Sequence, residues 1–319
     1  MIKRRLHIFL FVTFGAGSAL AQQDAHFSHY MFNQSLYNPA WLTQEQNGYI
    51  SALHRTQWAG YNTSFDGSGG APTSQQFNFG MPISSLPAAV GITALNDKLG
   101  PLSSVQLQFL GAYHKTINKG RISIGLRPTL VLQTIDFNEY RFVNPDDPLN
   151  KGGQESQFRP DVGVGAMYSN ASLYFGLALN HIISPSFDFG VDNIQNRLSR
   201  SVNLMGGYSF RPSYSLEISP TLLVRSTFRT ITFDVSAIAT YQNKLWGGLS
   251  FRESEAMILL LGYNFLKDGI LKLGYSFDYV VENQQAKQPT SHEVFMRYRL
   301  GGLTGGSGKK IIRTPRYRF

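Results

Sequence analysis

Apolar and polar residues alternate one by one through most of this chain. In "ILKLGYSFDYV", Leu271, Leu273, Tyr275, Phe277 and Tyr279 fall on one face, and Lys272, Gly274, Ser276 and Asp278 on the other. In "RISIGLRPTLVLQT", Ile122, Ile124, Leu126, Pro128, Leu130 and Leu132 oppose Arg121, Ser123, Gly125, Arg127, Thr129 and Gln133. "YSLEISPTLLVR", "ITFDVSAIATY" and "HEVFMRYRL" repeat the pattern. A period of two is the mark of a β-strand. Alternation alone also fits a soluble sandwich, whose strands are apolar inward and polar outward. Strand length separates the two. These segments run to about ten residues or more, where globular strands average about five or six. Aromatics also gather near the strand ends, at Tyr113, Tyr168, Tyr241, Tyr263, Phe265, Tyr279 and Tyr298. Long strands, an apolar band and aromatic girdles predict an all-β fold, a transmembrane antiparallel β-barrel. Its Gly, small polar and charged face would line the lumen.

About fourteen strands are predicted, an even count as bacterial barrels require. They start near Gly48, Thr73, Ala88, Leu102, Gly120, Phe158, Ala171, Arg200, Tyr214, Thr230, Leu245, Glu255, Gly269 and Ser291. The four longest connections follow strands one, five, seven and thirteen: "RTQWAGYNTSFDGSGGAP", "DFNEYRFVNPDDPLNKGGQESQ", "SPSFDFGVDNIQNRLS" and "VENQQAKQPT". All are odd. Even-numbered connections such as "NKG", "SN" and "QNK" are tight turns. Long loops face the cell exterior and short turns the periplasm, so both termini are expected on the periplasmic side.

The ends refine the picture. Met1 to Ala21 has a basic start, "MIKRR", an apolar core, "LHIFLFVTF", and a small-x-small step at Ala19 to Ala21. That is a secretory signal peptide. No later run approaches the roughly 18 to 20 apolar residues of a membrane helix. The expected organisation is residues 1–21 as signal peptide, 22–47 as a periplasmic or plug segment, 48–300 as barrel, and 301–319 as a Gly-rich tether with a basic periplasmic tail. The formal charge of +9 is concentrated in the end segments. Lys3, Arg4 and Arg5 leave with the signal peptide, and Lys309, Lys310, Arg313, Arg316 and Arg318 crowd the tail. The body is left with no clustered basic face, so nucleic acid is not an expected partner.

Candidate chemistry is sparse. With no cysteine, zinc-thiolate sites, disulfides and cysteine nucleophiles are excluded. His181, Ser184 and Asp188 lie close in sequence, but a triad is defined by geometry rather than spacing. They read as a polar loop end. Asp24, His26 and His29 could meet on one helical face, yet three loosely spaced ligands specify no metal. "NPDDP" and "DFGVDN" hold acidic pairs without the spacing of a calcium loop. No catalytic, metal or cofactor site is expected. The lumen-facing Arg121, Arg127, Glu217, Asp234, Asp278, Glu293, Arg297 and Arg299 are expected to pair across the interior. Aromatics in the long loops, Trp58, Tyr61, Phe65, Tyr140, Phe142, Phe187 and Phe189, are candidates for binding a partner.

One segment breaks the alternation. "HFSHYMFNQSLYNPAW", from His26 to Trp41, is aromatic and apolar. Asp24 can cap a first helical turn, so that Phe27, Tyr30 and Met31 share a face, and Asn38-Pro39 is a second helix start. Such a surface must be buried, and the periplasmic mouth of the lumen is the nearest place. With "ALHRTQWAGY" behind it, the segment resembles the start of the PorP/SprF family of type IX secretion system membrane proteins. The resemblance is carried by Gln23, Asp24, Phe27, Tyr30, Phe32, Asn33, Asn38, Pro39, Ala40, Arg55, Gln57, Trp58 and Gly60. After Ala40 the sequence departs, with "WLTQ" in place of the family's aromatic-Ala-Gly. The tail "KKIIRTPRYRF" is also similar to the family. The resemblance implies a non-enzymatic outer-membrane barrel that supports secretion and surface retention of large adhesins. It would bind their C-terminal domain, often in gliding motility, and touch other components of the secretion system. The alternatives are a small-solute channel, a barrel enzyme and a soluble secreted sandwich.

Overall fold

The computed structural model describes residues 24–61, 70–140, 152–189, 196–266, 269–282 and 287–301. The wall opens with β1 (Gly48–Thr56), β2 (Thr73–Ile83), β3 (Ala88–Leu99), β4 (Leu102–Ile117), β5 (Gly120–Asp136), β6 (Gln154–Ser169) and β7 (Leu173–Asn180). A small hairpin, β8 (Ser186–Phe187) with β9 (Asn196–Arg197), decorates the next loop. The wall resumes with β10 (Ser201–Tyr208), continued past Ser209 as β11 (Phe210–Ser213). It ends with β12 (Leu216–Ser226), β13 (Ile231–Tyr241), β14 (Leu245–Arg252), β15 (Ala256–Phe265), β16 (Leu271–Val280) and β17 (Thr290–Leu300). Neighbours pair antiparallel, β10 pairs β12, and β1 pairs β17. Taking β10 and β11 as one strand, the sheet is a closed barrel of fourteen strands, with no open edge.

The two faces of the wall are inverted relative to a soluble protein. Outward side chains are apolar and exposed: Ile122, Ile124 and Leu126 on β5, and Met257, Leu259 and Leu261 on β15. Their neighbours in sequence, Ser123 and Arg127 on β5 and Ile258 and Leu260 on β15, are buried inside. Tyr113, Tyr168, Tyr241, Tyr263 and Tyr298 are exposed near the short-turn end. An apolar belt with aromatic rims and a largely polar interior fits lipid outside and a lumen within. The strand starts expected from periodicity fall within four residues of those observed, the largest difference being at β6. There the polar run "QESQ" hides four residues of strand.

Ahead of β1 the chain forms a 3₁₀ turn (Tyr30–Phe32), the short helix α1 (Gln34–Tyr37) and a longer 3₁₀ turn (Pro39–Gln44). Asn38 caps the last as expected, accepting from the Ala40 N–H at 2.9 Å. Asp24 caps nothing: the first turn begins at His29, without a side-chain cap.

Candidate functional site: a lumen filled by the opening segment

The segment from Asp24 to Gln46 lies inside the barrel. Its last residues meet the short-turn end, where Thr43 Oγ1 is 2.7 Å from Ser123 Oγ and Arg121 donates to the Thr43 carbonyl at 2.5 Å. At mid-height Asn38 donates to the Ala166 and Leu177 carbonyls at 3.1 and 3.3 Å. Glycine makes this approach possible. A Cβ on Gly125 would overlap Pro39 and Ala40, and one on Gly165 would overlap Asn38. The Asn-Pro-Ala motif thus presses directly on backbone. Further along, Arg127 donates to the Leu36 carbonyl, and Asn203 donates to the Tyr37 carbonyl at 3.0 Å. Asn33, Gln76 and Asn78 form a buried amide cluster.

Near the long-loop end the segment enters a network of charges. Glu293 accepts from the backbone N–H groups of Ser28 and His29 at 2.6 and 2.9 Å, and lies 2.7 Å from His29 Nδ1. Arg55, 1% exposed, reaches Ser28 Oγ (2.8 Å), Glu255 (3.1 Å) and Asp278 (3.0 Å). Arg252, equally buried, donates to Asp234 at 2.6 Å and to the Phe27 carbonyl at 3.1 Å. Arg225 adds a second bond to Asp234 at 2.9 Å. Burial opposes the charge of Glu255, in the turn between β14 and β15, but Arg252 and Arg55 beside it hold its pKa at about 2. Buried charges persist only when paired and hydrogen-bonded. Here the N-terminal segment supplies part of that pairing. An aromatic cluster of Phe32, Trp246 and Phe295 packs below, with Lys272 Nζ 4.1 Å from the Phe32 ring centre.

The segment therefore reaches further than the periplasmic mouth expected from its sequence. Asp24, its first described residue, lies beside His181 at the long-loop end. His181 is held between Asp161 (2.5 Å) and Asp24 (3.0 Å). Burial disfavours its charge, but Asp24 and then Asp161 outweigh it and push the pKa to about 10.

The expected residues fall into distinct groups. Phe27, Tyr30, Asn33, Asn38, Pro39 and Arg55 are buried contacts between segment and wall. Gln57 donates to Glu255 at 3.1 Å. Trp58 is half-buried at positive φ, 5.8 Å from the Tyr61 ring and beneath Lys287. Tyr140 is 44% exposed. Phe187 and Phe189 are corrected: both are buried, packed with Val131, Phe137 and Leu198 as the core of the outer loop. They hold that loop in shape and offer no free surface. Phe65, Phe142, Lys309, Lys310, Arg313, Arg316, Arg318 and residues 1–21 lie outside the described residues. His181, Ser184 and Asp188 do not converge, since Ser184 bonds the Leu198 carbonyl and Asp188 bonds Gln157. Asp24 and His29 are drawn to different partners, and among the described residues no group of three or more His, Asp or Glu is placed to hold a metal. Of the lumen charges, Asp234, Asp278, Glu293 and Arg297 do pair inside, whereas Arg127 bonds the Leu36 carbonyl and Asn180. Glu217 instead pairs along the rim with Arg211, at 2.9 Å. Sequence reasoning missed Trp246, Arg252 and Glu255. The signal for Trp246 was Gly262 and Gly274, which leave room for its ring.

A closed sheet with an apolar exterior and a packed polar lumen defines an outer-membrane β-barrel. Solved barrels bear this out at the level of fold. "CymD monoaromatic hydrocarbon channel" aligns with a TM-score of 0.51 at 12% identity, over 84% of this chain and 92% of that one. The P. putida toluene transporter TodX aligns with a TM-score of 0.51 at 9% identity, over 84% and 94%. No individually curated protein matches the sequence significantly. The family model "Type IX secretion system membrane protein PorP/SprF" matches residues 19–298. The chain belongs to the PorP/SprF family and resides in the outer membrane.

Proposed function

We propose that this barrel is a non-enzymatic scaffold of the type IX secretion system that holds the C-terminal domain of a large secreted adhesin at the cell surface and serves gliding motility. The observation that carries the reading is the filled lumen. A barrel whose interior charges are bonded to its own N-terminal segment is a rigid platform and a poor conduit. The outer loops then do the work. Trp58, Tyr61 and Tyr140 are aromatic anchors on a stiff rim, the composition that dominates protein interfaces. Other components of the secretion system would meet the periplasmic end.

The test is a binding measurement between the purified barrel and the C-terminal domain of an adhesin from the same genome. Wild type binds, and a variant carrying Trp58→Ala and Tyr61→Ala loses at least about tenfold in affinity, as expected for hot-spot aromatics. Equal binding by both would remove the first outer loop from the proposal. The competing reading is a small-solute channel. Porin-like conductance of the wild type in planar bilayers would favour that reading over ours.

A further inference from the structure

We propose that the short-turn mouth of the barrel is a docking site for an acidic segment of a periplasmic protein. This rests on the reading above that this end faces the secretion machinery. The near-neutral charge of the barrel body conceals a strong asymmetry. On the lumenal side of the short-turn mouth stand Arg121, Lys272, Arg297 and Arg299. Around its rim stand Lys115, Lys119, Arg211 and Lys244. Among the described residues, only Glu45 and Glu217 bring carboxylates to this end, Glu45 against Arg297 and Glu217 against Arg211. The long-loop end, by contrast, carries more carboxylates than basic side chains among its described residues.

Two features show that the positive mouth is built rather than incidental. Lys272 and Arg297 are directly opposite in the β16–β17 register. Like charges in that position are destabilising, and the fold tolerates them by setting Lys272 over the Phe32 ring of the N-terminal segment and Arg297 over the Tyr49 ring and against Glu45. Beside them a cavity of about 450 Å³ opens between the N-terminal segment and the wall. Arg121, His114, Ser84, Ser85, Gln46 and Glu45 line it. That volume suits a short peptide segment or a few side chains.

The occupant follows from sign and direction. Arg121, Lys272, Arg297 and Arg299 share the inward parity of their strands, away from lipid headgroups; the first three contact Thr43, Phe32 and Glu45 of the N-terminal segment and set the sign of the mouth, while the exposed Arg299, Lys119 and Lys244 are open to what arrives from the periplasm. The chain's own continuation beyond β17 is excluded by sign, since Lys309, Lys310, Arg313, Arg316 and Arg318 would add to the positive field. An acidic stretch of a partner protein is attracted by both.

The experiment uses the mature chain in nanodiscs of zwitterionic lipid. The probe is a short fluorescein-labelled Asp/Glu-rich peptide, with its Asn/Gln-rich counterpart as control, read by anisotropy over a salt series. The acidic peptide binds, the amide peptide does not, and the affinity falls as salt rises. Lys119→Gln, Lys244→Gln and Arg299→Gln together reduce affinity by about tenfold. Lys98→Gln with Arg229→Gln at the long-loop end leaves it unchanged. Heat-modifiable migration checks that each variant is a folded barrel. No binding at low salt, or equal binding by both variants, overturns the proposal. So does a result in which the mouth substitutions alter only the anionic lipid that co-purifies, because the rim then reads headgroups. The adhesin measurement reads the opposite end, so either proposal can fail alone.

Discussion

Arg55 shows what single residues contribute here. Its guanidinium joins β1, β16, the β14–β15 turn and the N-terminal segment through Ser28, Glu255 and Asp278. Removing one partner of a buried network leaves the others charged and unpaired, at about 3–5 kcal/mol. Arg55→Ala should therefore lower stability by that order, measured by denaturant unfolding in detergent. Arg55→Lys should recover only part of it, since an ammonium is a compact point charge and lacks the planar fork that reaches separated acceptors. His181 makes a second residue-scale prediction. Its folded pKa of about 10 lies above its ordinary value, so the stability it adds is complete below about 6.5. That contribution is lost as pH rises from there through about 10. His181→Gln should flatten the unfolding profile across that window; a slope unchanged by the substitution would remove His181 as its source. The lumen charges were legible residue by residue, because inward parity marked Asp234, Asp278, Glu293 and Arg297. Their partners were not, since several bond to a segment 200 residues or more away in sequence.

At the scale of elements, the shape of the N-terminal segment is fixed by the wall rather than by its own helical propensity. Its one α-helix is four residues long, far below what is stable alone. The 3₁₀ turns and that helix persist because wall side chains and backbone take up their free polar groups. Gly125 is the most sensitive point, as Ala40 leaves no room for a Cβ there. Gly125→Val should cost about 1–3 kcal/mol by overpacking. It should also raise hydrogen exchange across residues 38–44 while the barrel keeps its heat-modifiable migration. Unchanged exchange there would mean that the wall relaxes and the fit is looser than the distances imply. Strands were legible because period two is a property of consecutive residues. The β8–β9 hairpin and the burial of Phe187 and Phe189 were not, since loop aromatics are sorted inward or outward only by tertiary contacts.

The whole molecule is an inversion, and that inversion is testable. Leu249 on β14 is 65% exposed and Leu259 on β15 is 44% exposed. In a water-soluble protein, an exposed Leu changed to Arg usually alters stability by no more than about 0.5 kcal/mol. In a lipid-facing belt the same change costs about 2–4 kcal/mol at the bilayer midplane and falls toward zero near the interfaces. Leu259 pairs with Leu249 and Phe277 in the middle of its strand, whereas Phe265 lies at the strand's short-turn end. Leu259→Arg should therefore destabilise the barrel strongly in lipid vesicles, and Phe265→Arg much less. The buried neighbour Ser276, facing the lumen, supplies the contrast. Ser276→Leu places an apolar side chain against Asp278 and should disturb the interior network rather than the lipid face. A soluble sandwich predicts the reverse order for the two faces, with Leu259→Arg nearly silent. Depth-dependent loss at Leu259 and Phe265, measured by reversible unfolding in vesicles, follows only if those side chains meet hydrocarbon.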